Sequence, residues 1–210
     1  MSGRLFVIAA PSGAGKTSLV KAALVRDPNL CLCVSHTTRA RRPNEVDGRD
    51  YHFIAPEKFK EMVAAEGFLE YAPVFDNFYG TSHAALADAF GRGHDVILEI
   101  DWQGAKQVRE RTRDLATGRS GCTSIFVLPP SWAELERRLQ SRGTDSAVVI
   151  ARRLRDAVAD MGHHDEFEYV IVNENFEPAV ADLLRIVAGD AEDLAGGRAA
   201  LAPLLRDLLR

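Results

Sequence analysis

The sequence predicts an α/β protein in which a mostly parallel sheet is flanked by helices. Short apolar runs that suit buried strands recur along the chain, at residues 4–10, 32–35, 95–100, 123–128 and 169–172. Helical patterns follow the first run and separate the later ones, at residues 16–26, 132–140 and 147–161. Strands that alternate with helices favour a parallel, doubly wound sheet, because parallel strands need a crossover connection and a helix usually supplies it.

The composition is that of an ordinary globular protein. The chain has 210 residues, of which 46% are hydrophobic and 27% charged, so disordered and fibrous classes are excluded. Its formal net charge of -4 argues against a nucleic-acid partner, since nucleic-acid binders usually carry a net basic face. The sequence also lacks a stretch of about 20 apolar residues, the length needed to span a bilayer.

The N-terminus and the three cysteines favour a cytoplasmic protein. Arg4 is followed only by the apolar run 5–10, which is shorter than the core of a signal peptide. Cys31 and Cys33 are too close for an ordinary disulfide, and their spacing from Cys122 matches no recognised zinc site. We therefore expect reduced thiols, no membrane partner and a location in the cytoplasm.

Residues 36–93 interrupt the alternation of strands and helices. This interval begins with a basic loop and continues with a short alternating run at residues 51–54 and a helical pattern at residues 56–65. We interpret it as an inserted α+β segment with a small sheet of its own. The core is then predicted to comprise residues 1–35 and 94–190.

The C-terminal tail, residues 191–210, closes with a leucine-rich amphipathic segment at residues 201–209. It could pack on its own core or on a second subunit, so a homo-oligomer stays open, although we expect the former. The stretch 112–121 is long and polar, and we assign it no function.

The segment APSGAGKT, residues 10–17, lies between the first strand and the first helix. Glycines let backbone N–H groups converge on phosphate oxygens, and the following helix directs its positive end at the same anion. Lys16 can reach the β- and γ-phosphates of a nucleotide, and the Thr17 hydroxyl can ligate Mg²⁺. Ala10 stands where the strict pattern GxxxxGK[ST] has glycine. The segment is typical of a P-loop, which predicts ATP or GTP binding but leaves the reaction open.

A basic loop suits the phosphate of a second, small substrate. Its sequence, SHTTRARRPNE from Ser35 to Glu45, places arginines beside hydroxyls. Because a guanidinium binds phosphate through two parallel N–H groups, Arg39 and Arg42 could clamp an acceptor phosphate. By itself, however, such a loop is equally well explained as a solvated surface.

Seven motifs, in their order along the chain, resemble those of the guanylate kinase family. They are APSGAGKT, SHTTRARRPNEVDGRDYHF, GFLEYA, FYGTS, ILEIDWQG, LQSRGTD and VIVNENF. The similarity extends from about Arg4 to Ile186. It implies a P-loop NTPase-type core with an inserted GMP-binding segment, and an enzyme of purine nucleotide metabolism that transfers the γ-phosphoryl group of ATP to GMP, with Mg²⁺ as cofactor.

The resemblance assigns the GMP side residue by residue. Four residues match contacts to the GMP phosphate: Arg39, Arg42, Tyr51 and Tyr79. Three match contacts to guanine: Ser35, Glu70 and Thr81. A carboxylate at Glu70 can accept from guanine N1–H and N2–H₂ together, a pair of donors that adenine does not present. The predicted GMP site is completed by Glu45, Glu99 and Asp101, although Glu99 stands where the family often has Asp, which leaves its role open.

The resemblance also implies an ATP side and a mobile lid. The predicted ATP contacts are Pro11, Ser12, Gly13, Ala14, Gly15, Lys16, Thr17, Ser18 and Asn173, the last beside adenine. Mg²⁺ is expected at Thr17 and, through water, at Asp101. Arg142 and Arg153 lie in the lid, at about residues 141–156, and with Lys16 are the predicted catalytic residues. The remaining nearby arginines are interpreted as ordinary helix-surface charges: Arg138, Arg152 and Arg155.

Alternative functions are less favoured. A guanylate-kinase-like scaffold module would bind proteins without turnover, but such modules typically have a damaged P-loop, whereas Lys16 and Thr17 are present. A kinase for a phosphorylated sugar would keep the ATP half and lose the guanine contacts. The combination of Ser35, Glu70 and Thr81 argues against that reading, and an adenylate- or uridylate-type kinase is less favoured still.

Overall fold

The computed structural model describes residues 3–74, 76–115, 117, 120–141, 146–195 and 200–209. Its strands are β1 (Leu5–Ala9), β2 (Leu30–Leu32), β3 (His36–Thr37), β4 (His52–Phe53), β5 (Phe68–Val74), β6 (Asn77–Ser82), β7 (Asp95–Glu99), β8 (Thr123–Leu128) and β9 (Tyr169–Val172). Its helices are α1 (Lys16–Arg26), α2 (Pro56–Ala64), α3 (His83–Gly91), α4 (Trp102–Arg111), α5 (Trp132–Ser141), α6 (Ala147–Met161), α7 (Phe176–Ala188), α8 (Glu192–Ala195) and α9 (Ala202–Leu208).

The main sheet has five strands in the order β2–β7–β1–β8–β9. The pairs β2–β7 and β8–β9 are parallel, and all five residues of β1 are buried, as expected for strands covered on both faces. The predicted fold class, a parallel sheet flanked by helices, is confirmed. One predicted strand is displaced: β2 ends at Leu32, and Ser35 lies beyond it because the chain leaves this sheet and enters a second one at His36.

The second sheet has four strands in the order β4–β3–β6–β5. Its apolar core is centred on Phe59 of α2, whose ring stacks on Phe68 and Phe78 with centroid distances of 4.5 Å and 5.4 Å. The ladder between β5 and β6 is antiparallel, and its register shifts between Phe68 and Glu70. This small sheet carries Glu70, Tyr79 and Thr81 of the residues predicted to bind GMP, and Ser35, Arg39 and Tyr51 lie within two residues of its strands.

The chain divides into two compact units. The first comprises Met1–Val7 and Pro28–Thr123, and the second comprises Ile8–Asp27 and Ser124–Arg210. All residues predicted to bind GMP fall in the first unit, and all residues predicted to bind ATP phosphates or adenine fall in the second. The boundaries drawn from the sequence, an insertion at 36–93 and a lid at 141–156, stay a prediction.

The tail packs on its own chain. Leu208 of α9 is fully buried, and the carboxylate of Asp207 accepts a hydrogen bond from the Trp132 backbone N–H at 3.3 Å. Across the described ranges, the helices include none that is both long enough and apolar enough to cross a membrane. No disulfide joins Cys31, Cys33 and Cys122, and burial raises the pKa of Cys33 to about 12, so this thiol is held in its protonated, unreactive form.

We expect the stability of the protein to fall as the pH decreases, because of a histidine in the second sheet. His36 and His52 are partners across β3 and β4, and their ring centroids are 4.7 Å apart. Burial, and next the neighbouring His52, lower the pKa of His36 from 6.5 to about 4. The unfolded chain therefore binds this proton at a higher pH than the folded chain does, so the free energy of unfolding decreases as the pH falls from 6.5 towards 4.

The measurement is thermal unfolding of the wild type and of His36→Gln at a series of pH values across this window. The variant should lose less stability on acidification than the wild type does. His83→Gln, at an exposed position at the start of α3, is the control and should follow the wild type. Equal losses for all three proteins would contradict the assignment to His36.

Candidate active site

The loop between β1 and α1 forms a backbone cradle that ends at a helix N-terminus. Gly13 and Gly15 both have φ +95°, a left-handed conformation that residues with side chains rarely adopt. An ideal Cβ at Gly13 would lie 2.9 Å from Cδ1 of Leu135, and one at Gly15 would overlap Nδ2 of Asn173. Because α1 begins at the next residue, Lys16, its first N–H groups adjoin the loop, as an anion site requires.

Two side chains hold the carbonyl group of Ala14 in this loop. Asn173, which is buried, donates from Nδ2 to the Ala14 oxygen at 2.7 Å, and Arg138 donates from Nη1 to the same oxygen at 3.2 Å. Arg138 also donates to the Asn173 carbonyl at 2.9 Å and to Oε1 of Glu134 at 2.7 Å. The interpretation of Arg138 as an ordinary surface charge is therefore wrong, because its guanidinium fixes the P-loop. An adenine contact from Asn173 stays a prediction.

The other predicted residues of the ATP side differ in exposure. Lys16 is partly buried, whereas Thr17 and Ser18 are exposed at the start of α1. Arg153 lies on α6 and is partly buried, and Arg142 lies outside the described residues. Arg152 is an exposed residue of α6 that pairs with Asp156 at 3.9 Å, in keeping with a surface charge.

Arg39 is the centre of the residues predicted to hold the GMP phosphate. Its Nη2 lies 2.7 Å from Oε1 of Glu45, and each of the two side chains is 16% exposed. Its guanidinium carbon lies 5.6 Å from the ring centroid of Tyr51. Burial would lower the pKa of Arg39, but Glu45 and next Tyr79 outweigh it, so the pKa is raised and the guanidinium is charged. The rings of Tyr51 and Tyr79 meet edge-on at 5.8 Å. Arg42 is more exposed and is connected through its backbone N–H, which donates to Oε2 of Glu45 at 2.8 Å.

The electrostatics of this group match an anion site. Burial alone would raise the pKa of Glu45, but the hydrogen bonds from Arg39 and from the Arg42 backbone outweigh it, so the pKa of Glu45 is lowered and the carboxylate is charged. Burial, and next the carboxylate of Glu99, raise the pKa of the Tyr51 hydroxyl well above its usual range. Tyr51 is therefore a neutral O–H donor at physiological pH, which is the form that can donate to a phosphate oxygen.

The three residues predicted to contact guanine lie together at the second sheet, Glu70 and Thr81 within its strands and Ser35 directly before β3. Glu70 and Thr81 are partners across β5 and β6, and Oγ1 of Thr81 lies 3.3 Å from Oγ of Ser35. Ser35 is 8% exposed, Glu70 3% and Thr81 fully buried. Polar side chains at this depth are costly unless they serve a hydrogen-bonded purpose, and a carboxylate beside two hydroxyls can read the edge of a base.

Asp101 has a structural role that the sequence analysis did not assign. It is the N-cap of α4: Oδ1 accepts from the Gly104 backbone N–H at 2.8 Å, and Oδ2 accepts from Nε2 of Gln103 at 3.2 Å. Asp is one of the residues preferred at a helix N-cap, so an Asp that directly follows the strand ending at residue 100 was a visible capping signal. Its water-mediated contact with a metal stays a prediction.

Comparison with known proteins agrees with this geometry. The family model for guanylate kinase matches residues 2–189. The chain is 50% identical over 209 residues to a guanylate kinase of Alkalilimnicola ehrlichii, covering 100% of both chains, and 47% identical to one of Methylococcus capsulatus, covering 99% and 98%.

The fold is similar to a solved guanylate kinase from Anaplasma phagocytophilum. The TM-score is 0.70 at 32% sequence identity, and the match covers 96% of this chain and 95% of that one. The family model and the relatives each extend over nearly the whole sequence, including the loop around Ala14 and the buried residues around Glu70. The chain belongs to the guanylate kinase family.

Proposed function

We propose that this chain is an ATP:GMP phosphotransferase that forms GDP and ADP. The observation that carries the proposal is the burial of one carboxylate and two hydroxyls, from Glu70, Ser35 and Thr81, at the second sheet, with Arg39 two residues after its strand β3. A carboxylate acceptor suits guanine, which presents N1–H and N2–H₂ side by side, and does not suit adenine, which presents an acceptor at N1. Arg39 and the two tyrosines beside it suit a phosphate attached to that base.

The donor side is proposed to be the P-loop. Backbone N–H groups of the loop and of the first turn of α1 bind phosphate oxygens of ATP, and Lys16 reaches the β- and γ-phosphates. The hydroxyl of Thr17 is an oxygen donor of the kind that Mg²⁺ prefers, and it is exposed at the helix start, so it fits a magnesium ion bound together with the nucleotide. When bound, the ion supplies positive charge against the β- and γ-phosphates. Asp101 is proposed to add a contact through water.

The acceptor is held by Arg39, Arg42, Tyr51 and Tyr79. Glu45 keeps Arg39 in place and, through the Arg42 backbone, orders the loop that carries both arginines. A phosphate oxygen of GMP is already an anion at neutral pH, so neither a protein nucleophile nor a strong general base is needed. Phosphoryl transfer depends chiefly on positioning and charge, and we assign charge stabilisation to Lys16, Arg142 and Arg153. The enzyme is proposed to act in the cytoplasm.

The test is a coupled assay of ADP release with ATP and Mg²⁺, in which GMP, AMP, UMP and a sugar phosphate are offered separately. We expect turnover with GMP and a kcat/KM for AMP and UMP lower by about 10³-fold or more, because a buried hydrogen-bonding pocket rejects bases that leave its groups unpaired. Failure to convert GMP, together with turnover of another acceptor, would overturn the proposal.

A further inference from the structure

We infer that Gly104 is a positioning residue for GMP recognition, because the absence of a side chain there provides the space for the carboxylate of Glu70. The inference rests on the proposed function, which gives Glu70 its role. Gly104 is the third residue of α4 and is buried. An ideal Cβ on Gly104 would overlap Oε2 of Glu70, and it would lie 3.1 Å from Cδ of Glu70 and 3.4 Å from Oδ1 of Asp101.

A glycine inside a helix needs an explanation, because glycine is a poorer helix former than alanine. Gly104 is not explained by backbone conformation, since positive φ among the described glycines occurs at other positions. The close approach of the Glu70 carboxylate is the contact that a side chain at this position would remove.

The strand that carries Glu70 cannot easily move away, because α4 holds its backbone on both sides of that residue. Gln107 accepts from the Tyr71 N–H at 3.3 Å and donates to the Tyr71 carbonyl at 2.7 Å. Arg111 donates from Nη1 to the carbonyls of Phe68, at 2.9 Å, and Leu69. Positions 104, 107 and 111 of a helix share one face, so a single face of α4 both binds the strand and leaves room for its carboxylate.

The local shape of β5 also fixes where Glu70 points. Phe68 is the partner of Ser82 and Glu70 is the partner of Thr81, so two steps along β5 oppose one step along β6. Leu69 is the extra residue of this bulge. Bulges re-aim the side chains beside them, and here the following side chain is the carboxylate that meets α4.

The start of α4 is equally constrained. Its first turn is capped by Asp101, whose Oδ1 accepts from the N–H of Gly104 itself at 2.8 Å. The helix is capped and the strand is bound by four hydrogen bonds, and the atom nearest to a new Cβ is Oε2, at the far end of the Glu70 side chain, so this carboxylate is the group that must shift. An alanine at 104 should therefore leave the fold intact and displace the carboxylate.

Protein stability and GMP recognition should respond differently to an alanine at position 104. Gly104→Ala should keep or raise the melting temperature, because alanine favours the helix. The same change should raise KM for GMP by about tenfold or more, the effect of losing one hydrogen bond to a charged group, with KM for ATP unchanged. The ratio of kcat/KM for GMP to that for AMP should fall. A merely structural role would lower the melting temperature and move both KM values together.

The matched control is Gly91→Ala. Gly91 is also a helical glycine, the last residue of α3, and an ideal Cβ on it meets nothing within 4 Å. This variant should leave both KM values and the GMP:AMP ratio as in the wild type.

The contact with Glu70 is tested by adding Gly104→Ala to Glu70→Ala, with GMP binding measured by calorimetry. Once the carboxylate is absent, the alanine at 104 should change GMP affinity by less than about twofold, because the two changes act through one contact. If Gly104→Ala does not fold, the double variant should fold, since the overlapping group has been removed.

Three results would overturn the inference: unchanged KM for GMP in Gly104→Ala, an effect of equal size in the Glu70→Ala background, or failure of both variants to fold. Each is distinct from failure of the proposed function, which would appear as no GMP turnover by the wild type. It is also distinct from failure of the role given to Glu70, which would appear as unaltered GMP selectivity in Glu70→Ala itself.

Discussion

Replacing Lys16 with alanine is expected to lower kcat by about 10²-fold to 10³-fold, the range found when one charged group or donor is removed from a preorganised anion site. Lys16 is the first residue of α1 and directly follows the left-handed Gly15, so its side chain starts where the backbone cradle ends. Removing the ammonium leaves the loop and the helix N-terminus in place but removes the charge that follows the transferred group. The measurement is steady-state kinetics with GMP and saturating ATP.

Two further variants distinguish the loss of the Lys16 charge from a loss of folded protein. Lys16→Met keeps the length of the side chain and removes its charge, so it should be as inactive as Lys16→Ala. Lys21→Ala, at an exposed position on the same helix, should keep wild-type activity. Both alanine variants should retain a free energy of unfolding within about 0.5 kcal/mol of the wild type, because alanine favours a helix and neither site is fully buried. Near-normal turnover by Lys16→Met would contradict the assignment of the P-loop.

Much of the main sheet could be predicted because its signals are local. The helix at residues 16–26, the strand at 123–128, the helix at 147–161 and the strand at 169–172 have the predicted bounds in the structure. Each is a long periodic segment or an apolar run of strand length. The strand predicted at residues 32–35 was misplaced. In the structure β2 ends at Leu32 in the main sheet and β3 begins at His36 in the second sheet, and a local pattern does not indicate which sheet a strand enters.

The candidate site likewise contains residues that local sequence identifies and residues whose roles depend on contacts distant in the chain. The P-loop and the arginine loop are contiguous in sequence, so their chemistry can be recognised from their residues. Arg138 was misread because its partner, the Ala14 carbonyl, lies 124 positions away and is a backbone atom that no sequence pattern marks. Glu70 was assigned through the family resemblance alone. Its burial depends on a bulge and on helix α4, which begins at Trp102, 102 − 70 = 32 positions after Glu70 and beyond the reach of any local periodicity.

The second large effect is expected for Glu70→Gln, which should lower kcat/KM for GMP by roughly 30-fold to 150-fold. The change keeps the volume of the side chain, so the packing at this 3%-exposed position is preserved. It replaces one of the two acceptor oxygens by an NH₂ group, which would face one of the two guanine donors, N1–H or N2–H₂. Losing a hydrogen bond to a charged group and opposing two donors costs about 2–3 kcal/mol, which corresponds to that range of kcat/KM.

Specificity is measured as the ratio of kcat/KM for GMP to kcat/KM for AMP. Adenine offers an acceptor at N1 and a donor at N6, and the amide of a glutamine can pair with both, so AMP should not be penalised as GMP is. The ratio should therefore fall by about the same factor as kcat/KM for GMP. Glu61→Gln on α2, whose side chain is 67% exposed, is the control and should leave the ratio unchanged. If Glu70→Gln keeps wild-type discrimination, the carboxylate does not read the base, and the buried hydroxyls of Ser35 and Thr81 would have to account for selectivity without it.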